Sequence, residues 1–200
     1  MTQPTIDSRA VNKSIKQRVW PALRIAGFQN FTSRNAWRFG RVFHVVNFQS
    51  FNSYNATVLG CTTFSFAINL GLHFDFMPWG GGSERFKPNH PLHEAQCIFR
   101  KPLRRTLQQP DNPHPGIWAV DPMGLNIGPC ISDALDVIER DALPWFAEFN
   151  NPANALRVVE TEQEQFDKFG PSGTWGFGRP GSPMRMHAIS YLQSALSTSQ

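Results

Sequence analysis

The sequence predicts an α+β fold: a twisted antiparallel sheet of four to five strands packed against N- and C-terminal helices. Three observations predict it. From Phe64 to Leu72, Phe64, Phe66, Ile68, Leu70 and Leu72 alternate with Ser65, Ala67, Asn69 and Gly71. Period two with one bulky apolar face marks a strand packed on one side. Near the N-terminus, Val11, Ile15, Val19, Leu23 and Ala26 recur at spacings of three and four, which draws one apolar stripe along a helix. Helical patterns then return only after Pro129. Segregated strands and helices indicate α+β architecture, not alternating βαβ units.

Residues 1–8 read as a flexible tail, and residues 9–200 as a single domain. The first helix is expected from Arg9 to Ala26, with Gly27 at the left-handed C-cap position. Pro21 removes a backbone donor and predicts a kink or a division there. Phe28–Trp37 and Phe39–Phe51 read as strands, joined near Arg38–Arg41 with Gly40 as the turn residue. Residues 77–93, which include Trp79-Gly80-Gly81-Gly82, read as a loop. Ala95–Arg100 is the expected fourth strand and Ile117–Val120 the fifth. Ser132 is the expected N-cap of the next helix, with Asp133 and Asp136 in its first turn, where the helix dipole favours negative charge. Leu135, Ile138, Ala142, Trp145 and Phe149 form its stripe, and Pro144 predicts a break. Asn151-Pro152 and Ser182-Pro183 each open a further helix, with proline at the first helical position. In the last of these, Ala188, Tyr191, Leu192 and Ala195 form the apolar side. The stretch from Gly170 to Gly181 reads as a loop, not a domain boundary.

Composition narrows the class. Of 200 residues, 12% are aromatic and 17% charged, with seventeen Phe and six Trp. This is a globular composition, and a chain of this length buries roughly 70% of its unfolded surface without a disulfide or metal staple. Cys61, Cys97 and Cys130 are odd in number and form no CxxC pair, which fits reduced thiols and a cytoplasmic protein. No apolar h-region opens the chain, and no apolar run approaches a membrane span. The charge is unevenly laid out. Residues 1–105 hold fourteen Lys/Arg against four Asp/Glu, and residues 121–168 hold three against ten. A basic front half facing an acidic helical back half is the expectation, with a basic surface for an anionic partner as the alternative.

Four patterns invite a functional reading. Gly176-Phe177-Gly178-Arg179-Pro180-Gly181 matches G-x-G-x-x-G, but no useful strand precedes it, so its glycines are assigned to turn geometry. His90, His93 and Glu94, with His73 and Asp75 nearby in sequence, are the candidate metal ligands. Zinc requires three or four such groups converging, and the expectation is that no metal or other cofactor is held. Phe28, Phe31, Trp37, Phe39 and Phe43 interleave with Arg34, Arg38 and Arg41. That mixture can stack bases and hold phosphates, although core aromatics with solvated arginines is the preferred account. The fourth pattern follows from the alternation itself. If the Phe64–Leu72 face is core, the preceding strand turns Val42, His44, Val46 and Phe48 inward. Asn47 and Gln49 then lie on the opposite face beside Asn69, and Gln96 and Arg100 of the fourth strand join them. A face of amides with one charge suits recognition of a partner better than bond-breaking chemistry.

Several segments carry a resemblance: LRIAGF (Leu23–Phe28), VVNFQS (Val45–Ser50), FAINLGL (Phe66–Leu72), QCIFRKPLRR (Gln96–Arg105) and the tryptophan of GIWAV (Trp118). Over about residues 10–125 the chain resembles a bacterial family known as domain of unknown function 4304. The resemblance implies the same strand order, marks Asn47, Gln49, Asn69 and Arg100 as positions to watch, and supplies no reaction. The expectation is a binding module, accessory or immunity-type, that recognises a protein or polar ligand through the polar sheet face. A metal-dependent hydrolase built on the His/Asp cluster and a nucleic-acid-binding protein using the arginine-rich front are the alternatives. No membrane partner is expected.

Overall fold

The computed structural model describes residues 7–78, 91–169 and 181–198. The chain opens with α1 (Ser8–Ser14), a π-helical turn (Ile15–Val19) and α2 (Trp20–Ile25). The one helix expected from the sequence is thus divided as Pro21 demands. Proline cannot donate to the carbonyl four residues back, and the turn before it widens so that Trp20 N–H bonds to Ile15 O. Val11, Ile15, Val19, Trp20 and Leu23 are buried along the way. Gly27 ends the helix at φ 87°. There Gly27 N–H bonds to Arg24 O and Phe28 N–H to Leu23 O, which is the paired closure of a left-handed C-cap.

The sheet follows: β1 (Asn30–Phe31), β2 (Asn35–Arg38), β3 (Val42–Ser50), β4 (Phe66–Phe74) and β5 (Phe99–Pro102), antiparallel and in chain order. A short helix, α3 (Ser53–Val58), joins β3 to β4. The two long strands pair over nine residues, from Val42 opposite Phe74 to Ser50 opposite Phe66. Three strand boundaries differ from expectation. The first expected strand splits into β1 and β2 because Thr32 Oγ1 accepts the N–H groups of Arg34 and Asn35 and folds the chain there. The fourth begins at Phe99, since Glu94–Gln96 forms one 3-10 turn. Ile117–Val120 is not a fifth strand. Only Trp118 reaches the ladder, exchanging two backbone bonds with Phe66.

Helices α4 (Ile127–Val137), α5 (Leu143–Phe149), α6 (Pro152–Phe169) and α7 (Pro183–Ser197) complete the described chain, with a π-helical turn (Ile138–Ala142) between α4 and α5. Again a wide turn stands just ahead of a proline, here Pro144, as the sequence anticipates. The Asn151-Pro152 and Ser182-Pro183 starts are observed, and Ser182 Oγ accepts from Arg185 N–H. The Ser132 cap is not. Asn126 and Asp121 cross-bond to set an earlier start, which leaves Ser132 and Asp133 inside α4. Ser132 accepts from the Arg18 guanidinium at 2.7 Å, tying the basic front half to the acidic back half. The buried positions of α4, the π-helical turn and α5 include Ile131, Ala134, Val137, Ile138, Ala142, Phe146 and Phe149; Leu135 and Trp145 are only half-buried.

The core lies between one sheet face and these helices. Val46, Phe48, Phe66, Ile68, Leu70, Leu72 and Phe74 are buried there with Trp20, Trp118 and Phe146. The alternation of β4 therefore does what its period implies. It sends every second residue to the opposite face.

Candidate functional site

The sheet face turned away from the helices, the far face, has two halves. In the first, Trp37, Val45 and Gly71 lie beneath residues 91–97. Leu92 and Cys97 pack on Trp37 and Val45, and Trp37 Nε1 donates to Leu92 O at 2.8 Å. Gly71 allows the close approach. A Cβ there would stand 2.7 Å from Cys97 Sγ and 2.9 Å from Glu94 Cα.

The second half holds the amides. Asn47 lies opposite Asn35 on one side and Asn69 on the other. Phe48 N–H bonds to Arg34 O at 2.7 Å, so the Asn35–Asn47 pair falls between ladder bonds, where side chains stand closest. Asn47 Nδ2 donates to Asn35 Oδ1 at 2.7 Å. On the neighbouring strand Asn69 Nδ2 donates to Gln49 Oε1 at 2.8 Å. Asn47 is buried, Asn35 and Asn69 are half-buried and Gln49 is exposed. Two amide–amide bonds thus hold four side chains as two pairs, Asn35–Asn47 and Gln49–Asn69, set side by side where Asn47 lies opposite Asn69. Each primary amide has more donors and acceptors than one such bond uses, so the cluster keeps capacity of both kinds.

Arg100 pairs with Gly71 in register and shares this face. Its guanidinium is 3.6 Å from Glu94 Oε1. Glu94 is buried, and His93 Nδ1 lies 2.6 Å from its other oxygen. That nitrogen accepts from Ala95 N–H at 3.3 Å, and Glu94 Oε2 is enclosed without a hydrogen-bond partner among the described residues. Gln96 does not join the amides. Its Oε1 accepts from His93 N–H at 2.7 Å and closes the 3-10 turn. Of the five far-face candidates, Asn47, Gln49, Asn69 and Arg100 share one face and Gln96 is used locally. Asn35 was missed. The alternation of Asn35 and Trp37 against Ala36 and Arg38 carried the signal, but treating Phe28–Trp37 as one strand obscured it.

The metal candidates are dispersed. His73 is buried, with Nε2 3.2 Å from Met77 O and Nδ1 enclosed without a partner among the described residues. Asp75 is exposed. His90 lies outside the described residues, as do Trp79–Gly82 and the glycine motif up to Pro180. Among the described residues, no three His, Cys, Asp or Glu side chains converge as metal ligands. Burial raises all three thiols, Cys130 to about 11. For Cys97 the Glu94 carboxylate adds to the effect. Such thiols stay protonated and poorly nucleophilic at neutral pH.

Several front-half arginines serve the fold. Arg24 stacks on Phe31 and Arg38 on Phe28, and Arg18 bonds to Gly128 O and Ser132. Arg105 donates to the carbonyls of Leu107, Asn112 and Ile117, holding that loop to itself. Arg34 has both terminal nitrogens enclosed without a hydrogen-bond partner among the described residues, and burial lowers its pKa to about 10.

His44 faces the core, edge-on to Phe146, and Arg38 Nε donates to its Nδ1 at 3.1 Å. Burial, and then the Arg38 charge, push its pKa down to about 3; burial also lowers that of His73. The unfolded chain binds these protons near pH 6.5, whereas the folded chain refuses them. Stability is therefore fully present above about pH 6.5 and falls as the pH drops towards 3. The slope is up to about 1.4 kcal/mol per pH unit for each histidine. His44→Gln retains an acceptor for Arg38 and is expected to flatten this slope in urea titrations at stepped pH. An unchanged slope would show that His44 titrates normally in the folded state.

The fold and this face together define an α+β protein with an open-edged antiparallel sheet, helices on one side and an amide cluster on the other. No family model, curated protein or solved structure matches the chain. No helix among the described residues is long and apolar enough to cross a membrane.

Proposed function

We propose that this protein is a binding module without catalytic activity, accessory or immunity-type, which recognises a protein partner through the amide half of its far face. One observation carries the reading: four amides on β2, β3 and β4 lie together on this face as two hydrogen-bonded pairs, with Gln49 exposed at the margin. Ordering by two mutual bonds reduces the side-chain entropy lost on binding. The remaining donors and acceptors match the mixed polarity of a peptide segment. Arg100, half-exposed at its side chain, adds one positive charge at the rim. The segments resembling domain of unknown function 4304 include β3, β4 and β5, and membership in that family is part of the proposal, as is a cytoplasmic location.

The test is site-specific photocrosslinking in the host. With a photoreactive residue at Gln49, one discrete protein adduct is expected, and Asn69→Lys should abolish it. A photoreactive residue at exposed Arg9 should not give it. Identical adducts from both positions would sink the reading. A small-molecule turnover by the purified protein would sink it too.

A further inference from the structure

The strand β5 is an edge of the sheet, and a groove of about 560 Å³ runs between it and helices α5 and α6. Leu103 N–H bonds to Ile68 O, which turns the main-chain groups of Phe99, Lys101 and Leu103 towards β4 and those of Arg100 and Pro102 outward. Pro102 has no N–H, so Arg100 supplies the only outward donor of this four-residue strand. Long strand addition is thereby prevented, while one outward N–H and C=O pair remains.

The groove floor is apolar, formed by Trp145, Phe149 and Val158. Trp145 and Phe149 rings pack 5.3 Å apart, and Trp145 and Val158 are half-buried. The walls differ in sign. Lys101 and Arg104 stand on the strand side, Asp141 and Glu148 on the helix side. Lys101 is near enough for its charge to help hold the Asp141 carboxyl below its usual range, after the larger effect of Arg140. Glu162, also in the lining, is occupied by buried Arg185 at 2.7 Å.

We propose that this groove is a second binding site, which takes a short extended segment of a partner protein: a bulky apolar residue flanked by an acidic residue on one side and a basic one on the other. The volume falls within the range of about 300–1,000 Å³ typical of ligand sites. The apolar residue covers Trp145 and Val158. The flanking charges meet Lys101 and Arg104 on one side and Glu148 on the other, where Asp141 is already bonded through both oxygens to Arg140. A nucleic-acid strand would match one wall and be repelled by the other, and a neutral apolar segment would leave both walls unmatched. The outward N–H and C=O of Arg100 hold the segment's main chain by a single ladder step. This site adjoins the far face at Arg100, whose side chain turns to that face while its main chain faces the groove.

The experiment uses the full chain, isotopically labelled, titrated with three blocked five-residue peptides that share a central phenylalanine between leucines. Their end residues are Asp and Lys, Asp twice, or Lys twice. The Asp/Lys peptide is expected to bind about tenfold more tightly than either of the others and to shift the Trp145 indole and Lys101 amide signals. Glu148→Lys alters an exposed side chain, so folding is preserved. It should remove most of that preference, whereas Arg9→Glu at an exposed position of α1 should leave it intact. Equal binding of all three peptides, shifts confined to other surfaces, or a preference that survives Glu148→Lys would overturn the proposal. So would concentration-dependent self-association that Glu148→Lys abolishes, because the groove would then belong to a second copy of the chain.

Discussion

Asp133→Ala is expected to lower the unfolding free energy by about 2 to 4 kcal/mol, from one orphaned buried donor at about 1–3 kcal/mol and the lost charge-assisted bonds to Thr106. Asp133 is buried within α4. Its Oδ2 accepts Trp118 Nε1 at 2.7 Å, and its carboxylate accepts both the N–H and the hydroxyl of Thr106. Trp118 is fully buried and lies flat on Phe66, with ring centroids 5.5 Å apart. One carboxylate therefore joins the helical layer, the chain after β5, and the residue that bridges to β4. Removing it leaves the buried indole N–H without an acceptor, while the donors of exposed Thr106 turn to water. In thermal unfolding the loss should read as a fall of roughly 4–16 °C, since each kcal/mol shifts the midpoint by about 2–4 °C at this chain length. Asp133→Asn keeps the shape and one acceptor, so it should cost less. In a double-mutant cycle, Trp118→Phe should cost less in the Asp133→Ala background than alone, because its lost hydrogen bond is already absent. An Asp133→Ala protein within about 0.5 kcal/mol of the parent, the range of an ordinary surface change, would show that the carboxylate is not the junction described.

Gly71→Ala is expected to cost about 2 to 3 kcal/mol, the upper part of the range for overpacking. The reason is local. The new Cβ would meet Cys97 Sγ at 2.7 Å and Glu94 Cα at 2.9 Å. The first atom can move; the second is backbone, held in the 3-10 turn by the His93–Gln96 bond. Cys97→Ala in the same chain should therefore recover only part of the loss. Residues 91–97 are the side expected to yield, since the pairing of β4 with β3 runs through Gly71 opposite Val45. Lifting them uncovers Trp37 and Val45, which limited proteolysis should detect as faster cleavage within 91–97. Denaturant midpoints unchanged by Gly71→Ala, or full recovery with Cys97→Ala, would refute the close-packing account.

The two substitutions mark the limit of what the sequence conveys. Alternation in β4 is local, and it was enough to orient Asn69 and, through pairing, Asn47 and Gln49. Proline at 21 and 144 removes a donor wherever it stands, so both helix divisions were legible. Ser132 was misread for the opposite reason. A serine followed by two aspartates has the pattern of a helix start, yet the actual start is set by the Asp121–Asn126 exchange, and Asp133 is drawn inward by Trp118 and Thr106. Gln96 falls within the expected strand Ala95–Arg100, whereas its side chain accepts from His93 N–H three residues earlier and closes a turn.

By itself the sequence determined the α+β class, the core face of the central strands, the helix divisions at proline and the side of the sheet on which Asn47, Gln49 and Asn69 lie. These depend on backbone periodicity and on the covalent restriction of proline, both of which act over a few residues. Only the tertiary structure decided that Asn35 completes the amide cluster, that residues 91–97 cover half of the far face above Gly71, and that a groove with walls of opposite charge opens beside β5. Those features depend on how segments distant along the chain meet. Side-chain volume and charge settle that meeting, and neither leaves a period in the sequence.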